Sequence, residues 1–263
     1  MTVVSGGAMT FDTLLEQLQS HMEPLERFVS LFAMSLGEPQ LLQKNQERGF
    51  RYETPDVRHF CLLKAVRVVS ALNASLVLAR AGYVQEILTL MRTIAEFTTH
   101  IDYVLDPPSS EKHKMDVENY IEAFFADCWR DPALGIKRAQ VPQGAVHEAI
   151  GATLDKLAQQ YGDGEDRVPA MKLLSNVYRA YSNVVHGKYP EIMDLFGGRP
   201  GRFHLRGMGS TPKEVEAAET VETFIVTAIN MCGTIIQRLK LQTLVESDPV
   251  LAKWYGDKMK ERS

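Results

Sequence analysis

The sequence predicts an all-α fold. We expect a single multi-helix bundle over residues 11–263, with one Gly/Arg-rich loop or small hairpin between its sixth and seventh helices. Three observations carry this expectation. Apolar residues recur at three- and four-residue spacing along most of the chain. Prolines preceded by Thr or Asp punctuate it in the manner of helix starts. No run of alternating strand residues stands out except within 197–209.

Taken in order, residues 1–10 are small and polar and read as a flexible N-terminus without a signal-peptide pattern. A first helix is predicted near 11–36, kinked at Pro24. A second, near 55–80, opens at Thr54-Pro55, and a third, near 83–105, stops at Pro107-Pro108. Ser109 or Ser110 starts a fourth over 110–130, and Pro142 and Pro169 open helices near 143–161 and 168–187. Thr211-Pro212-Lys213-Glu214 is a capping-box pattern for a long helix over 212–245. Asp248-Pro249 opens the last, over 249–260.

Composition narrows the function classes. Of 263 residues 45% are hydrophobic and 24% charged, as in an ordinary globular protein. The net charge of −4 excludes a generally basic, nucleic-acid-coating surface, so any grip on a phosphate backbone must be local. The most apolar runs, 68–79 and 224–236, fall short of the ~20 residues of a membrane span and read as buried helices. No membrane is expected, and the expected location is cytoplasmic. Cys61, Cys128 and Cys232 lie far apart and read as reduced thiols. Neither a metal nor a cofactor is expected. Phosphate-loop, dinucleotide, zinc-protease and esterase signatures are absent.

Two helical stripes carry polar chemistry. In the third helix Thr89, Arg92, Glu96, Thr99 or His100, and Tyr103 share a face, with Arg92 and Glu96 paired at i,i+4. Three readings fit: a solvated face, a buried packing pair, or part of a pocket. In the sixth helix Arg179, Ser182 and His186 project together, flanked by Tyr178 and Asn183, and Gly187 allows a left-handed cap. A neutral imidazole beside a guanidinium can act as a base, and the guanidinium can stabilise a developing oxyanion. An RNA 2′-hydroxyl suits such a pair. The bland alternative is a pair of helix-end polar groups. Beyond them lie Lys188, Arg199, Arg202, His204 and Arg206, interleaved with Tyr189 and Phe203 and five glycines. That segment is either a solvated loop or an electropositive lip.

Arg179, six intervening residues and His186 resemble the Arg-x(4–6)-His motif of HEPN domains. The segment Ser182-Asn183-Val184-Val185-His186 is similar to a Ser-x-x-x-His segment in uncharacterised bacterial helical proteins near that superfamily. Those proteins also carry an Arg-x-x-x-Glu helix upstream, resembled here by Arg92 to Glu96. The likeness covers roughly 55–190. It implies a helical bundle, commonly a homodimer, whose active members cut RNA without metal in stress or phage-defence systems. Others bind a nucleotide or a protein partner without turnover. On this likeness Arg179 and His186 are the candidate catalytic pair. Arg92, Glu96, Ser182, Asn183, Lys188, Arg202 and Arg206 are candidates for binding. The residue after the Arg, polar in active members, is Ala180 here, which favours a binding role.

Overall fold

The computed structural model describes residues 10–44, 47–108, 110–126 and 170–260. Within them helix dominates. In chain order the elements are α1 (Phe11–Ser20), α2 (Met22–Ser35), β1 (Gln40–Lys44), β2 (Glu47–Arg51), α3 (Val57–Arg80), α4 (Val84–Leu105) and α5 (Glu111–Phe125). After the gap come α6 (Ala170–Val185), α7 (Tyr189–Met193), α8 (Pro212–Arg238), α9 (Gln242–Glu246) and α10 (Pro249–Lys260). The predicted helix at 143–161 lies outside the described residues.

The expected first helix is two. The break falls at His21, just after Ser20, whose carbonyl would pair with residue 24. Pro24 has no N–H to give and its ring crowds that carbonyl, so the chain bends there. The 55–80 helix starts later than expected. Asp56, not Thr54, is its cap and accepts from Arg58 N at 2.9 Å and His59 N at 3.2 Å. Asp248 caps α10 as expected, through Val250 N at 2.9 Å and Leu251 N at 3.1 Å. Thr211 precedes α8, but Glu214 reaches one residue further back, to Ser210 N at 2.7 Å. The predicted helix over 212–245 breaks after Arg238, where Lys240 takes the left-handed φ of 56° and a short α9 follows.

An antiparallel hairpin, β1 with β2, pairs Leu41 with Phe50 and Gln40 with Arg51. Sequence reading missed it, because its Gln, Leu, Lys, Glu and Arg residues are helix formers and show no β-branched alternation. Leu41 and Phe50 stay exposed. Conversely, 202–206 is not a regular hairpin. Isolated bridges hold it, Phe196 to Phe203 and Leu205 to Gly207.

The core is built on α3, α4 and α8, with α1 and α2 packed against α3 and α8. Phe28 and Phe32 of α2, Phe60, Leu72 and Leu76 of α3, Ile87 and Ile94 of α4, and Ile225 and Ile236 of α8 are buried. By length and composition α3 and α8 could each cross a membrane, with best windows of mean hydropathy 1.7 and 1.2. Both pack into this core. α6 lies against α4, and α5 closes over α3 and α4.

Candidate functional site

α6 presents the Arg179–His186 pair outward. Tyr181 stands two residues, or about 200°, from Arg179 and so on the opposite face. It packs edge-on against Phe224 of α8, with ring centroids 5.6 Å apart. Burial there pushes its hydroxyl pKa up. Arg179 and His186 are both exposed, and Ser182 and Asn183 are half-buried beside them. The pair is two turns apart, about 10 Å along the axis. The helix ends as its residues predict. Gly187 takes φ 55°, its N–H bonds Val184 O at 3.0 Å, and Lys188 N bonds Asn183 O at 3.1 Å. Ala180 is exposed as well.

The 186–209 segment continues this edge. Lys188, Arg199, Arg202 and Arg206 are exposed, as are the Tyr189 and Phe203 rings. The segment is not a free loop. Gly197 N bonds Arg202 O and His204 N bonds Leu195 O, each at 2.8 Å. The rings of Phe196 and Phe203 stack edge-on at 5.6 Å. Met208 is buried and ties the segment to the α3–α4 turn through Gly82 O. Beneath it a cavity of about 150 Å³ lies between Tyr83, Val84, Leu195, His204 and Leu205. Leu205 and Ile192 are exposed on its outside, giving the basic edge an apolar component.

The α4 stripe lies near by. The Gln85 side chain donates to Glu191 O in α7, so the start of α4 sits beside α7, and α4 packs against α6. Thr89, Arg92 and Glu96 follow Gln85 at four, seven and eleven residues, on the same side of α4. At Gln85 this side meets α7, and at Glu96 it bears on Lys64 of α3 and Tyr120 of α5. Arg92 and Glu96 form an ion pair at 2.9 Å, with side chains 25% and 22% exposed. The upper half of the stripe does not face water. The His100 ring meets Tyr120 of α5 at 5.4 Å, and Tyr103 meets Tyr120 at 5.8 Å and His113 at 5.3 Å. Thr99 is buried and returns its hydroxyl to Ala95 O.

Lys64 of α3 completes this centre, and sequence reading passed over it. Its side chain is buried, with 9% of the residue exposed. The ammonium sits over three rings, 4.3 Å from Phe97, 4.8 Å from Phe124 and 5.4 Å from Phe60. Burial lowers its pKa to about 8, against the pull of Glu96. A signal for it was present. Lys64 follows Phe60 by four residues, on the side of α3 that also carries Cys61, Ala65 and Val68, a core register for a charged residue. Further along α4, burial and the neighbouring Asp106 push the Asp102 carboxyl up to about 6.

Cys61 and Cys232 are buried free thiols with raised pKa values, which makes them unreactive. Cys128 lies outside the described residues. Among the described residues no group of three or more His, Cys, Asp or Glu is placed to hold a metal ion. Comparison of the chain with family models, with curated proteins and with solved structures finds no match.

Proposed function

We propose that this is an HEPN-like cytoplasmic protein that binds RNA or a nucleotide along the edge formed by α6 and the 186–206 segment. Arg179 and His186 are its candidate pair for metal-independent RNA cleavage. One observation carries the reading. Two side chains suited to phosphoryl chemistry stand exposed on one face of α6, and that face runs into four exposed cations in a chain of net charge −4. In the proposed step, His186 takes the proton of a ribose 2′-hydroxyl. The freed oxygen attacks the adjacent phosphorus, and the 5′ oxygen leaves as an alcohol with a proton from water, while the His186 imidazolium returns its own proton to solvent. Arg179 stabilises the negative charge that builds on the phosphoryl oxygens. Ser182 and Asn183 position the substrate, and Lys188, Arg202 and Arg206 hold the backbone. Arg92 and Glu96 brace α4, which packs against α6. An exposed pair on a single chain is consistent with a homodimer, in which a second copy closes the site. In the setting that the resemblance implies, such a protein would act in stress response or phage defence.

The test is cleavage of a mixed RNA pool by the full chain in EDTA. We expect 2′,3′-cyclic phosphate ends, lost in His186→Ala without a change in thermal stability. Cleavage that survives this substitution removes His186 from the chemistry.

A second reading, a non-catalytic oligomeric module that binds a protein partner, draws on the exposed Ala180 and on the exposed Tyr189, Ile192, Phe196 and Leu205. It expects no turnover, and a ligand or partner response that depends on Arg92, Glu96 or Arg179.

A further inference from the structure

We infer that the cavity under the basic segment is a guanine pocket, in which Glu86 reads one base of the RNA or nucleotide held along the α6 edge. The inference rests on the proposed nucleic-acid role of that edge. The cavity has a volume of about 150 Å³. Tyr83 and Val84 wall it from the start of α4, and Leu195, Leu205 and Met208 wall it from the basic segment. Two polar side chains, Glu86 and His204, stand among them. Val84 and Met208 are buried while Leu205 is exposed, so the cavity has an apolar floor and an open mouth.

An apolar cavity of about 150 Å³ holds one benzene ring. This one therefore takes the six-membered ring of a base, edge first, and leaves the sugar and phosphate outside. Arg202 and Arg206 flank His204 and Leu205 in sequence and are exposed, which suits them to that phosphate.

The polar groups choose the base. A carboxylate only accepts hydrogen bonds, so Glu86 repels phosphate and is complementary to two adjacent N–H donors. On its Watson–Crick edge guanine presents such a pair, N1–H beside the N2 amine. Adenine and cytosine present a single amine beside a ring acceptor, and uracil a single ring N–H. His204 supplies a ring N–H for guanine O6. Its ring lies against Gly197, where a Cβ would stand 3.4 Å from Nε2, so the missing side chain at 197 gives the ring its place. Glu86 also lies in the first turn of α4, where an acid favours the helix. That role alone predicts lost stability on substitution and no change in base preference.

The experiment is calorimetric titration of the full chain with the four ribonucleoside 5′-monophosphates, which differ only in the base. We expect GMP to bind at least about tenfold tighter than AMP, CMP or UMP. Glu86→Gln should erase that preference and leave AMP affinity as in the wild type, with a melting curve confirming that the variant is folded. Equal affinity for the four, preference for another base, or a guanine preference that survives Glu86→Gln overturns the pocket. Binding of none of them overturns it too. If Glu86→Gln does not fold, the wild-type ranking of the four nucleotides still decides. The α6 reading fails separately: cleavage of mixed RNA in EDTA that depends on His186 but shows no preference for guanine keeps that reading and sinks this one.

Discussion

Met208 donates its backbone N–H to the carbonyl oxygen of Gly82 at 2.6 Å. That bond joins two segments far apart in sequence, the turn between α3 and α4 and the end of the basic segment. It forms only because Gly207 allows the two backbones to touch. Gly207 has φ 86°, and a Cβ there would overlap Ala81 O. The basic edge beside α6 is thus fastened to the bundle core by main chain.

Gly207→Ala is accordingly expected to destabilise the fold by more than about 2 kcal/mol, through left-handed strain and lost contact together. Urea unfolding checks this. Gly201→Ala is the comparison, since it shares a positive φ of 75° but meets open space. Its cost should be about 1 kcal/mol. Equal costs for the two would mean that the close contact at Gly207 contributes nothing.

Glu96→Gln removes the carboxylate that pairs with Arg92 and bears on Lys64, in a half-buried setting. A loss of about 1–3 kcal/mol is expected, below the figure for fully buried pairs because both side chains keep some exposure. Chemical denaturation at pH 7 measures it. A change under about 0.5 kcal/mol would place the pair with ordinary solvated ion pairs.

Lys64→Met should stabilise the protein at pH 7. The fall of the lysine pKa to about 8 corresponds to about 3 kcal/mol of unfavourable charge burial, which the ring contacts partly offset, so a net gain of about 1–2 kcal/mol is expected. The pH dependence follows from the direction of the shift. Between about 8 and 10.5 the unfolded chain holds a proton on Lys64 that the folded chain has released. Wild-type stability therefore gains a rising contribution with pH across this window, and the cost of burying the charge is full below it. In Lys64→Met that rise is absent. Melting curves from pH 7 to 10.5 test the slope. Parallel wild-type and variant profiles would show that Lys64 titrates as it does in the unfolded chain.

Much of this molecule was legible in order along the chain. The α4 and α10 boundaries, the Ser110 start of α5, the Gly187 cap and the Arg92–Glu96 pair follow from spacings of one to four residues. Local sterics and capping hydrogen bonds act over that range. The hairpin at 40–51 was not legible, because its pairing overrides residues of helical preference.

By itself, then, the sequence determined the helical class, most helix ends, and the exposed register of Arg179 and His186 on α6, since each depends on near neighbours. Tertiary structure alone decided that α4 packs against α6, that α5 covers His100 and Tyr103, and that Lys64 is held among three rings beside Glu96. Those relations join residues tens of positions apart, through packing and desolvation that helical periodicity does not encode.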